Sequence, residues 1–60
     1  MNKIILKSNT LSDNSVVFDV EVHQSYNGFI VIPATNFKQA MEIIENLQKL
    51  TGYNLIDQSL

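Results

Sequence analysis

Apolar and polar residues alternate with a period of two along residues 16–23. Val16, Phe18, Val20 and Val22 fall on one face, and Val17, Asp19, Glu21 and His23 on the other. That period belongs to a strand with one face buried, and β-branched and aromatic side chains suit its pleated surface. A second strand-like run, residues 29–32, follows the Asn27–Gly28 pair, both of which tolerate a positive φ. Read as a two-residue hairpin loop, Asn27–Gly28 would set Tyr26 opposite Phe29. Phe29 and Val31 would then join the core face. Ile30 and Ile32 would be turned to the opposite face, beside His23.

The first strand is expected over residues 3–8, with Ile4 and Leu6 on the core face. For these to share a face with the even residues of the second strand, the turn around residues 13–15 needs an odd number of loop residues or a bulge. Asn14 suits its left-handed position. Pro33 ends the third strand or confines it to an edge of the sheet, because it has no N–H to give a ladder.

Beyond Pro33 the period changes from two to between three and four. Phe37, Ala40, Met41, Ile43, Ile44, Leu47 and Leu50 form one apolar stripe on a helix, and Lys38, Gln39, Glu42, Glu45, Asn46 and Lys49 form its polar face. Thr35 or Asn36 can cap its start, with Gln39 placed as in a capping box, and Gly52 can close its end. Residues 53–60 read as a short extended segment, with Leu55 and Ile56 able to begin a fourth strand. The predicted fold is α+β: a three-stranded antiparallel meander followed by one amphipathic helix, in a single domain spanning residues 1–60.

Composition sharpens this picture. A 60-residue domain buries only about 60% of the surface its unfolded chain exposes, so such domains often lean on disulfides, metals or oligomerisation. This chain has no cysteine, so disulfides and thiolate metal sites are excluded. Apolar residues are 45% and charged residues 17% of the chain, too apolar a mixture for intrinsic disorder. The N-terminal apolar run, residues 4–6, is too short for a secretory signal, and no run approaches the ~20 residues that cross a bilayer. A cytoplasmic protein is expected.

Candidate chemistry is sparse. Asp19, Glu21 and His23 share a strand face and are all metal-ligand types, but ligands spaced along one straight strand splay apart. No second histidine or cysteine exists to complete a shell, so the solvent face of an amphipathic strand accounts for them more simply. With His23 the sole imidazole and the serines in turn-like segments, no nucleophile–base–orienter set is legible. No catalytic residue, cofactor or metal site is expected, and the chain does not read as an enzyme. Four lysines, no arginine and a net charge of −2 make a poor footprint for nucleic acid. A sheet-face nucleic-acid binder using Lys3 and Lys7 is therefore the weaker alternative, and a metal-dependent activity at Asp19, Glu21 and His23 weaker still. No motif identifies a family.

What remains is a small module that binds protein, as a homodimer or to a partner. The apolar side chains expected on the sheet face away from the helix, Ile5, Val17, Ile30 and Ile32, are its candidate interface.

Overall fold

The structure, a computed structural model, describes residues 2–26 and 28–58. The chain runs β1 (Lys3–Thr10), β2 (Val16–Gln24), β3 (Gly28–Ala34), α1 (Phe37–Thr51) and β4 (Asn54–Gln58). The strands form one sheet in the order β3-β2-β1-β4. The first three are an antiparallel meander, as the alternation predicts, and β4 pairs in parallel with β1. Helix α1 is thus the crossover between parallel strands at opposite edges, the connection a parallel pair requires.

The odd-loop expectation for the first turn holds. Thr10 opposes Val16, which leaves residues 11–15 as the loop, and Asn14 takes the left-handed conformation at φ 69°. The Asp13 carboxylate accepts from the Ser15 backbone N–H at 3.0 Å and from its hydroxyl at 2.6 Å. The second turn differs from the expectation. Gln24 opposes Gly28, so three residues, 25–27, make the connection rather than two. Asn27 lies outside the described residues; Gly28 begins β3 at φ 71°. One added loop residue turns every side chain of β3 over. Ile30, Ile32 and Ala34 now oppose Val22, Val20 and Phe18, while Phe29, Val31 and Pro33 oppose His23, Glu21 and Asp19.

The core lies between one sheet face and α1. Ile4 and Leu6 from β1, Val20 from β2, Ala34 from β3 and Ala40 and Ile44 from α1 are all buried there. Phe18, Ile32, Met41, Ile43, Leu47, Tyr53 and Leu55 pack around them. Phe18 and Phe37 meet edge to face, with ring centroids 5.7 Å apart.

Helix α1 is capped as its sequence requires. The Asn36 side chain accepts from the Gln39 backbone N–H at 2.8 Å, and the Gln39 side-chain oxygen accepts from the Thr35 backbone N–H at 2.8 Å. At the other end Gly52, at φ 73°, donates to the Gln48 carbonyl at 2.8 Å. The apolar stripe is buried only in its middle, since Phe37 and Leu50 at its two ends remain exposed. Among the described residues no helix is long and apolar enough to cross a membrane.

Candidate interaction surface

The sheet face turned away from α1 is laid out in transverse rows by the strand registers. The middle row is Ile56, Ile5, Glu21 and Val31. On one side lie Asn54, Lys3, His23 and Phe29, and on the other Gln58, Lys7, Asp19 and Pro33. Glu21 therefore sits among apolar neighbours, and only 8% of its surface is exposed. A carboxylate in that position needs compensation. Lys7 Nζ lies 3.1 Å from its Oε2, and His23 Nε2 lies 2.9 Å from its Oε1. An ionised carboxylate can only accept, so the His23 Nε2 must carry the proton in this contact.

The Glu21 carboxyl is held below the ordinary glutamate value of 4.5. The hydrogen bond from His23 is the largest cause; burial opposes it, and the hydrogen bond and charge of Lys7 reinforce it.

His23 has a second neighbour in its row. Its ring stacks on that of Phe29, with centroids 4.6 Å apart and planes at 13°. On the far side of the Glu21 row the Asn9 side-chain amide donates to the Asp19 carboxylate. Asp19 is thus engaged with Asn9, Glu21 with Lys7 and His23, and His23 also with Phe29. Among the described residues no group of three His, Asp or Glu side chains is placed to hold a metal ion. Of the two lysines named for the nucleic-acid alternative, Lys7 pairs with Glu21 and stands opposite Asp19, while Lys3 stands opposite His23.

Of the four candidate interface residues, the structure keeps two together. Ile5 and Val17 are on the open face, but Ile5 is 6% exposed and Val17 half-buried, so neither offers much surface. Ile30 and Ile32 are on the helix side, because the three-residue loop reverses β3, and Ile32 packs against the core. The residues that the sequence reading placed inside, Phe29 and Val31, take the outer positions.

This leaves a different surface. Phe29, Ile30 and Val31 are consecutive on β3 and are 55%, 61% and 47% exposed. They project to both faces of a strand that, among the described residues, pairs on one side only, with β2. Ile30 is on the helix side, in a shallow depression of about 100 Å³ shared with Val22, Gln24, Gly28 and Phe29. A second depression, of about 270 Å³, lies among Asn2, Gln24, Ser25, Tyr26 and Tyr53. Its lining brings together no acid–base pair.

The direction of the open backbone groups follows from Pro33. With no N–H, Pro33 can sit opposite Asp19 only where β3 is not required to donate to β2. Even residues of β3 therefore carry the ladder to β2, and the N–H and C=O of Phe29 and Val31 point out from the edge. The close approach of the His23 and Phe29 rings fits the same alternation, since non-hydrogen-bonded pairs bring side chains closest. Searches of protein-family models, curated proteins and solved structures find no match to this chain.

Proposed function

We propose that this chain is a small non-enzymatic module of the cytoplasm that acts by binding protein, with the edge of β3 as its contact surface and a second copy of itself as its partner. The observation that carries this reading is the run Phe29–Ile30–Val31, exposed on both faces of an edge strand. Edge strands of stable monomers are usually blunted by charge, by a bulge or by a covering loop. Pro33 limits the length of this edge, but no charged residue occurs between Gly28 and Ala34. Homodimerisation also supplies burial that a domain of this size lacks.

The test is sedimentation equilibrium on the wild type and on a Phe29→Lys/Val31→Lys double variant. Both substituted residues are exposed on the outer face, so the variant should keep its fold, checked by circular dichroism. The wild type should self-associate and the folded variant should be monomeric. A wild type that stays monomeric at high micromolar concentration overturns the reading.

A further inference from the structure

We infer that two copies pair antiparallel through β3 about a two-fold axis at Ile30, making one continuous eight-stranded sheet. This rests on the proposed self-association and adds its register. An open strand edge is satisfied by another strand, because only a strand offers N–H and C=O groups at matching intervals. A second copy fits because the segment 29–32 carries no charge, so antiparallel self-pairing opposes no like charges.

Pro33 selects the register. With the axis at Ile30, Phe29 opposes Val31 of the second copy and Val31 opposes its Phe29. Both residues carry an outward N–H and C=O, so each such pair exchanges two hydrogen bonds and Pro33 falls outside that set. With the axis at Val31, Phe29 would face the second copy's Pro33, which cannot donate, and the Phe29 carbonyl would lose its partner. The side chains agree with the first register. On the outer face Phe29 meets Val31, an aromatic and β-branched pair of the kind that stabilises sheets. On the helix side Ile30, the most exposed of the three at 61%, meets its own copy.

Cysteine trapping tests this directly, since the chain has no cysteine of its own. In the proposed register Ile30 and its copy form a non-hydrogen-bonded pair with Cα atoms about 4.5 Å apart, inside the range a disulfide spans. Ile30→Cys, oxidised mildly at a concentration where the wild type self-associates, should become mostly a covalent dimer. Val31→Cys and the exposed helix control Leu50→Cys should remain mostly monomeric in the same oxidation. A wild type that self-associates while Val31→Cys crosslinks faster than Ile30→Cys, or while neither crosslinks above the control, overturns the register and leaves the proposed function standing. A wild type that is monomeric in sedimentation, with no crosslinking above the control, overturns both.

Discussion

The ring of His23 lies on the ring of Phe29, 4.6 Å between centroids and nearly parallel, across the β2–β3 pair on the open face of the sheet. The contact exists because the loop of the second turn has three residues, and a two-residue loop would place Phe29 on the core side. It is also a reporter. Proton resonances of the His23 ring should be shifted upfield by the Phe29 ring current and should return toward ordinary positions in Phe29→Leu. Unshifted His23 resonances in the wild type would contradict the observed register.

The helix prediction separates the middle of the apolar stripe from its end. Ile44 is fully buried against the sheet, so Ile44→Ala should cost about 2–5 kcal/mol, enough to unfold much of so small a domain. Leu50 lies on the same nominal stripe but is exposed, and Leu50→Ala should fall within about 0.5 kcal/mol of wild type. Urea unfolding of the two variants gives the comparison. Equal effects would mean that α1 is rotated or displaced from the position described.

Gly28 begins β3 at φ 71° with nothing within 4 Å of where a Cβ would lie. Substitution there meets no steric neighbour, so its effect reports the backbone conformation alone. Gly28→Ala should destabilise by about 1 kcal/mol, and Gly28→Val by more, because β-branched residues resist positive φ most. A neutral Gly28→Val in thermal unfolding would show that the left-handed conformation is not required.

The cap of α1 supports a similar test. Asn36→Ala removes the acceptor for the Gln39 backbone N–H and should cost about 1 kcal/mol, whereas Asn36→Asp should be close to neutral. If both variants unfold at the wild-type denaturant concentration, the cap contributes nothing.

The acid response should carry a signature of Glu21. Its folded carboxyl ionises more readily than the unfolded one, so its contribution to stability is complete above the ordinary value of 4.5 and is lost as pH falls through the lower folded value. Lys7 and His23 are the hydrogen-bonding partners facing it, with Asp19 two residues along the strand. Asp13, also lowered through its bonds to Ser15, loses stability in the same direction. The informative quantity is therefore the wild-type stability minus that of Glu21→Gln as a function of pH. It should be positive at neutral pH, about 1 kcal/mol or less because the Lys7 side chain is 46% exposed, and should shrink in acid below 4.5. A difference that does not change with pH would rule out the ionised Glu21 as its source.

How far the fold was legible depends on which signal governed each element. The alternation in residues 16–23 and the parity argument for the first turn rest on side-chain face, and both hold. The helix stripe and its caps rest on period and on local hydrogen bonding, and hold as well. The register of β3 failed because the Asn27–Gly28 pair was given more weight than Pro33. In a two-residue hairpin the residues flanking the loop are hydrogen-bonded to each other, and the alternation would then require Pro33 to donate to β2. That conflict was present in the sequence and argues for the three-residue loop. The same error moved Ile30 and Ile32 to the wrong face and hid the exposure of Phe29 and Val31. The place of β4 was not legible. Leu55 and Ile56 are apolar enough for either sheet edge, and only the path of α1 across the sheet decides that they meet β1 rather than β3.

That meeting of β1 with β4 governs when the molecule can form. Lys3–Lys7 pairs with Asn54–Gln58, so a strand near the start of the sequence completes its neighbourhood only after the helix and everything before it have been made. Pairings so distant along the chain are closed late, and they slow folding more than local hairpins do. During synthesis the meander emerges first, with Ile4 and Leu6 still lacking their cover and β1 open along one side. Both borders of the nascent sheet are then exposed at once, and the arrival of β4 covers β1 but makes β4 itself the new border, so the finished sheet is bounded by β3 on one side and β4 on the other.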